Sequence, residues 1–475
     1  MEDLTSHGNI RGRKIVAEIL ESGLEAADPY NNTQKLFRIE NDRLIIGNPH
    51  FEPIDAPKSG EEAYPLNKFK RIFVIGAGKG VQRIAKAVED VLGDYLTDGH
   101  VIDKHGSDVI LKKIGVTFGA HPVPDEGCIK GCQKILALTQ DLTKDDLVIT
   151  IAANGISSLL TLPVPGVSLE DVQKVTRMMQ IERGVPTLEL NAIRNHLDRL
   201  KGGRISKCLY PAKMVHIVVF PPGDYESLMF KNHWLHTLPD SSTFNDAVMI
   251  LKKWGAWDEV PNSVRKHLME AKPENETPKA KDFTMMDFRV YGIMPEKMGM
   301  FQAAQNKALE LGFKPIVIAR DLQAEASQAG LIMATIAGTI EKENMPFQAP
   351  CALFTTGEIL VTVGEVRGIG GRNQEYALAA APKIAGSKQI VIGAVDTDGT
   401  DGPGTQLLRN NEILPCLAGG IVDGETMNEA KKLGIDLMDD LNKHNSSVAL
   451  WKMKSGILAT PNISMNDLGV TLIMD

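Results

Sequence analysis

Two glycine-rich runs in the sequence each carry a cation. In the first, Gly76-Ala77-Gly78-Lys79-Gly80, a β-branched run precedes the glycines and an amphipathic run beginning at Val81 follows. A strand–turn–helix unit of this kind points backbone N–H groups at an anion. Its glycines let the anion approach closely, and Lys79 adds a full charge. The spacing matches neither common nucleotide fingerprint. Gly76 and Gly78 are followed by Gly80 rather than by a glycine three positions on, and no serine or threonine follows Lys79. No NAD is therefore expected, although Asp103 on the next strand is where a ribose ligand would be sought. In the second run, Gly368, Gly370 and Gly371 precede Arg372, and Asn373, Gln374 and Glu375 open a helix. An arginine fork at a helix N-terminus suits a carboxylate or phosphate. Lys79 and Arg372 are the candidate catalytic cations. Gly76, Gly78, Gly370, Gly371, Asn373, Gln374 and Glu375 are the candidate substrate contacts around them.

Three further stretches each carry a functional reading beside a plainer one. His121 to Gly127 holds two prolines; it is either a rigid surface turn or a place where His121 and Asp125 line a ligand site at the carboxyl end of a strand. Asn191 to Arg204 interleaves Arg194, His196, Lys201 and Arg204 with Ile193, Leu197 and Leu200. This is either an amphipathic helix with a solvated basic face and a Gly-Gly cap, or a substrate-anion contact. Asp396 to Pro403 is an acidic glycine loop; Asp398 and Asp401 could hold Mg2+ through hard oxygens, or form an acidic turn.

The elements that must position these residues are legible as alternating strands and helices. Residues 10–27 read as an amphipathic helix, and a polar stretch to about 68 reads as short strands and loops. Strand runs at 71–77, 101, 115 and 146–152, another around 214–220, and the intervening helices predict a doubly wound parallel sheet. The polar, proline-containing stretch 258–282 reads as an exposed loop or linker. Beyond 350 a second, smaller α/β domain is expected, with two strands before the Arg372 loop, a strand at 389–395, a helix near 425–433 and a last strand at 469–474.

Composition excludes several classes. The 475 residues carry 52 Lys+Arg against 60 Asp+Glu, a net charge of −8, which argues against a nucleic-acid partner or an anionic membrane surface. The N-terminus lacks an apolar signal core, and no apolar run approaches a membrane span, so a cytoplasmic location is expected. The five cysteines form no CxxC pair and are expected to be reduced thiols.

Taken in order, Gly-Ala-Gly-Lys79, His121-Pro-Val-Pro-Asp-Glu126, the Asn191 to Arg204 stretch, Gly-Gly-Arg372-Asn-Gln-Glu, Thr397-Asp-Gly-Thr-Asp-Gly-Pro403 and Asn466-Asp-Leu468 resemble the glycerate 2-kinases once called hydroxypyruvate reductases. The resemblance covers residues 10–475. It implies a Rossmann-like N-terminal domain over 1–255, a C-terminal α/β domain over 283–475 that is MOFRL-type from about 350, and an interdomain cleft. It also implies ATP and Mg2+ as cofactors, a small anionic hydroxy acid as partner, and Lys79 and Arg372 as active-site residues; a homodimer is left open. Several loops depart from the family pattern. Its SGGGS is Ala153-Asn154-Gly155-Ile156-Ser157, its SDVPGDD is Val219 to Tyr225 with Phe220 in place of an aspartate, and its SGPT is Trp234-Leu235-His236-Thr237. Its SGGE is Thr355 to Glu358, and its TGPTGTNV is largely replaced over Leu458 to Met465. Lost glycines remove close N–H donors for a triphosphate. An alternative activity therefore stays open: isomerisation, elimination or hydrolysis of a sugar or keto acid, with His121 or His236 as proton carrier.

Overall fold

Apolar strands and their covering helices build two units, Pro29–Pro295 and Met1–Asp28 with Glu296–Asp475. The computed structural model describes residues 3–295, 299–364, 368–408, 412–460 and 466–475. Part of the replaced loop, residues 461–465, lies outside the described residues.

The first unit opens with a small antiparallel sheet of β1 (Phe37–Glu40), β2 (Arg43–Ile46) and β3 (Glu62–Pro65). Six parallel strands follow: β4 (Arg71–Ala77), β5 (Asp98–Lys104), β6 (Gly115–Gly119), β7 (Asp146–Ala152), β8 (Lys213–Val218) and β9 (Phe288–Gly292). Their order in the sheet is β6-β5-β4-β7-β8-β9. Counted from its own first strand, this is the 3-2-1-4-5-6 order of a doubly wound dinucleotide-type sheet. Every residue of β7 and β8 is buried, as expected of parallel strands covered on both faces. The order reverses between β4 and β7, and ligands of such sheets bind at the carboxyl ends of the strands flanking that reversal.

The expected linker at 258–282 is part of this unit. Helix Asn262–Glu270 buries Val264 and Leu268, and Glu276 accepts a 2.7 Å hydrogen bond from the Nε2 side of His196. The chain then supplies β9 to the same sheet, so this unit extends past the expected boundary at 255.

The second unit holds a mixed sheet of β10 (Lys314–Leu322), β11 (Cys351–Gly357), β12 (Ile390–Asp396), β15 (Gly419–Asp423), β16 (Gly456–Ile457) and β17 (Asp467–Ile473), beside a short hairpin of β13 (Gln406–Leu407) and β14 (Ile413–Leu414). The order is β10-β11-β17-β12-β15-β16; β10 and β11 are parallel and the remaining pairs antiparallel. Helices Ala326–Glu343 and Arg372–Ile384 pack together in one core of the unit. A second core takes the N-terminal helix Ile10–Ala26, whose Val16, Ile19 and Leu20 meet Ala304, Val391 and Val470. That helix was expected to open the first domain. Its apolar face is buried in the second unit instead, and Arg13 makes a fully buried ion pair with Asp423 there. One expected strand is absent among the described residues: after β11 the chain leaves the sheet, and the Ile359 amide donates to Asp467 at 2.8 Å while Leu360 bonds the segment before helix Ala326–Glu343.

Candidate functional site

Lys79 lies at the switch point of the parallel sheet. Its backbone N–H donates to the Asn154 carbonyl at 2.7 Å, joining the loop after β4 to the loop after β7. Gly78 is required twice over: its φ is +135°, and a Cβ there would lie 2.5 Å from the carbonyl carbon of Ala153. Gly76 serves the sheet rather than a ligand, since a Cβ on it would press on Ile151 at 2.7 Å. Gly78→Ala is expected to lower the unfolding free energy by about 1–3 kcal/mol, read from urea titration; an unchanged midpoint would contradict this loop geometry.

The field around this loop is positive. His121 packs over Gly155, and its pKa is pushed down to about 4, first by burial and then by the charges of Lys79, Lys104 and Arg194. Arg194 is itself buried at 8% exposure. Its guanidinium bonds only amide oxygens, Gln180 at 2.7 Å and Asn191 at 3.4 Å, and no carboxylate among the described residues pairs with it. Burial alone pushes its pKa down to about 10. A buried cation without a counter-charge is costly, and an anion entering here would supply what is missing.

The rest of the basic stretch is structural. The helix ends at His196, a new one starts at Arg204, and the expected solvated basic face is buried. His196 is held by Glu276 and the Ala192 carbonyl. Arg204 ties the carbonyls of Asn195 and Asn275 together. Lys201 pairs with Asp198 at 2.7 Å and bonds Thr161 at 2.8 Å, all buried. Asp125 also differs from the expected ligand role: it caps helix Glu126–Leu138 through Cys128, takes the Ala120 amide, and meets His105 at 2.7 Å. Lys201→Met is expected to cost about 3–5 kcal/mol of stability, because Asp198 would be left buried and unpaired. Chemical denaturation of the purified variant measures this, and a loss below about 1 kcal/mol would contradict it.

Asp103 is not free for a ribose. It is buried, takes the Gly80 amide at 3.3 Å and the Gln82 side chain at 2.9 Å, and so occupies the helix N-terminus itself. His236, the other proton-carrier candidate, is fully buried; burial holds its pKa well below the usual range, and its Nε2 contacts Ser157 Oγ at 2.8 Å. Phe220 and Trp234 form an edge-on aromatic pair with centroids 4.1 Å apart, packed against the core under β8.

In the second unit the protein supplies its own anions to the Arg372 loop. The guanidinium meets Asp396 at 2.7 Å, Glu358 at 3.2 Å and Asp467 at 3.5 Å. The N-terminus of helix Arg372–Ile384 is capped by Asp401, which accepts from the Asn373 amide at 3.1 Å and the Gln374 amide at 2.9 Å. A Cβ on Gly371 would collide with the Asp401 backbone and carboxylate, and one on Gly370 would lie 2.5 Å from Ser446 Oγ. Asn373 bonds Asp467 at 2.6 Å, Gln374 accepts from Ser447 at 2.6 Å, and Glu375 pairs with His444 at 2.9 Å. The motif is therefore an internally bonded network in which one guanidinium faces several carboxylates. Asp467 was legible only as part of the terminal Asn-Asp-Leu; its reach to Arg372 and Ile359 comes from the antiparallel registers of β17 with β11 and β12.

Asp398 and Asp401 do not fit a metal pair. Both Asp401 oxygens are engaged by the helix amides, and Asp398 Oδ1 takes the Thr400 amide at 2.7 Å and the Thr400 hydroxyl. Among the described residues no group of three or more His, Cys, Asp or Glu side chains is arranged to hold a metal ion. Burial pushes Asp396 up to about 6 and Asp401 up to about 7. Carboxyl groups whose pKa rises on folding stabilise the fold fully below their unfolded value near 4, and that contribution is lost as pH climbs through 6 to 7. The melting midpoint is thus expected to fall between pH 5.5 and 8, and Asp401→Asn to flatten the trend; a midpoint rising over that range in the wild type would contradict the burial argument.

No helix among the described residues is long and apolar enough to cross a membrane. The chain matches two family models, Domain of unknown function (DUF4147) over residues 15–269 and MOFRL family over 351–466. It is 32% identical over 455 residues to a glycerate 2-kinase of Pyrococcus horikoshii, covering 94% of each chain. It is 34% identical over 427 residues to a D-glycerate 2-kinase of Thermotoga maritima, covering 89% of this chain and 95% of the relative. The crystal structure of a Thermotoga maritima glycerate kinase superposes with a TM-score of 0.75 at 32% identity, covering 97% of this chain and 99% of that one. The chain belongs to the glycerate 2-kinase family.

Proposed function

We propose that the protein is a kinase that transfers the terminal phosphoryl group of ATP to the 2-hydroxyl of D-glycerate. The observation that supports this best is the switch-point loop, where burial and the charges of Lys79, Lys104 and Arg194 keep His121 neutral and Arg194 has no carboxylate partner among the described residues. Phosphoryl transfer needs positioning and charge stabilisation more than covalent help from the protein. Lys79 takes the charge that develops on the transferring group. Arg194 meets an oxyanion of one of the two reactants. His121, kept neutral by burial and its cationic neighbours, accepts a hydrogen bond from the substrate hydroxyl. Magnesium, bound as the ATP chelate, would offset charge on the phosphates; among the described residues no group of three or more His, Cys, Asp or Glu side chains is arranged to hold it. A hydroxy-acid panel incubated with ATP and Mg2+ tests the reading: turnover with D-glycerate is expected, whereas no turnover with any acid and no ATP-induced thermal shift would sink it.

The same station predicts a titration. In the free protein His121 stays neutral down to about pH 4. An anion beside Lys79 and Arg194 offsets the charges that depress it, so its pKa is expected to rise on addition of ATP or D-glycerate. Imidazole proton NMR across pH 3.5–7 reads this directly; an unmoved titration with saturating ligand would contradict the placement of the anion.

A further inference from the structure

Ser157 stands in the short helix Ile156–Leu159 that follows the loop after β7. It is partly exposed, and its Oγ lies 2.8 Å from Nε2 of the fully buried His236. Ser157 and Arg194 line one cavity of about 10 Å³, together with Thr161, Asp198 and Lys201. That is room for about one water-sized group. Asp198 and Lys201 cancel each other at 2.7 Å, so the net charge facing the cavity is that of Arg194, which among the described residues bonds the side chains of Gln180 and Asn191 and no carboxylate.

The orientation of the Ser157 hydroxyl follows from His236. Its Nδ1 is buried and has no hydrogen-bond partner. Lys201 and Arg194 oppose a proton on this ring while Asp240 acts in the other direction, and burial, the largest influence, keeps the ring neutral. A buried N–H left without an acceptor is rarer and more costly than a lone pair left without a donor, so the lone pair is favoured at Nδ1. The single ring proton then sits on Nε2 and is donated to Ser157 Oγ. The serine's own hydrogen is left to be given outward.

We propose that Ser157 and Arg194 form an oxyanion subsite, in which the serine hydroxyl and the guanidinium both donate to a single oxygen of a carboxylate or phosphoryl group whose remaining atoms stay outside the cavity, with His236 as the positioning residue that turns Ser157 into a donor. The choice between a substrate carboxylate and an ATP phosphate rests on the kinase reading; the subsite itself does not. Calorimetric titrations of the full chain with inorganic phosphate, D-glycerate and ATP test it in the wild type, Ser157→Ala, His236→Leu and His236→Gln. Loss of a charge-assisted hydrogen bond predicts about tenfold or greater weakening for phosphate in Ser157→Ala and His236→Leu. The organic ligand that weakens alongside phosphate identifies the oxyanion. His236→Gln, which can keep a donor toward Ser157, is expected to retain most of the affinity. Ser157→Ala removes one oxygen at a partly exposed position, so it reports even if His236→Leu folds poorly, which circular dichroism checks. Wild-type affinity for all three ligands in Ser157→Ala, or no phosphate binding by the wild type, overturns the subsite. Equal losses in the leucine and glutamine variants overturn the positioning role. Turnover of D-glycerate by the same wild-type preparation reports separately on the kinase reading.

Discussion

Lys79→Met is expected to lower kcat with D-glycerate and ATP by about 10²–10³-fold, with little change in stability. Methionine keeps the length of the side chain and removes its charge. The backbone N–H of residue 79, which holds the Asn154 carbonyl, is untouched by the substitution, so the two loops stay joined. The loss should therefore fall on the transition state, where charge accumulates on the transferring phosphoryl group, and appear in kcat more than in KM. Steady-state kinetics and a thermal melt of the same variant separate the two. A variant with wild-type kcat would remove Lys79 from the chemistry, and one with a collapsed melt would make its role structural.

Arg372→Met is expected to cost about 3–5 kcal/mol of stability at pH 8 and to take activity with it. Asp396 and Asp467 are 4% and 5% exposed and would lose the guanidinium that balances them. The cost should shrink as pH falls. Asp396 titrates near 6 even with Arg372 present, because burial and its carboxylate neighbours raise it while the arginine lowers it. Removing the arginine raises it further, so protonation at pH 5.5 relieves the unpaired charge. Urea unfolding of wild type and variant at pH 5.5 and 8 checks this, and a difference independent of pH would contradict it. Arg372→Lys should recover part of the loss only, since an ammonium cannot span Asp396 and Glu358 as the fork does.

The two cations were legible for the same reason: glycine runs between a strand and a helix leave a recognisable pattern. Their surroundings were not. Asp401 lies 29 residues beyond Arg372 and reads as an acidic loop, yet its carboxylate caps the helix that Arg372 begins. What looked like an empty anion site is filled by a contact that only the tertiary fold brings close. The basic stretch failed in the opposite direction. Its cations read either as a solvated face or as an anion contact; Lys201, His196 and Arg204 each find a partner within the fold, leaving Arg194 without an acidic one among the described residues. Strand runs such as β4 and β7 were legible because both faces are apolar. The helix Ile10–Ala26 was recognised as a helix but placed in the wrong unit, because periodicity shows that a face is buried and not against what.

The switch-point station is proposed to serve phosphoryl transfer to D-glycerate. Phosphorus NMR of wild type and Lys79→Met, each incubated with ATP, Mg2+ and D-glycerate, tests it most directly. A 2-phosphoglycerate resonance is expected to grow with the wild type and to be slowed by about 100-fold or more with the variant. No phosphoglycerate from the wild type, or equal rates from the two proteins, would contradict it.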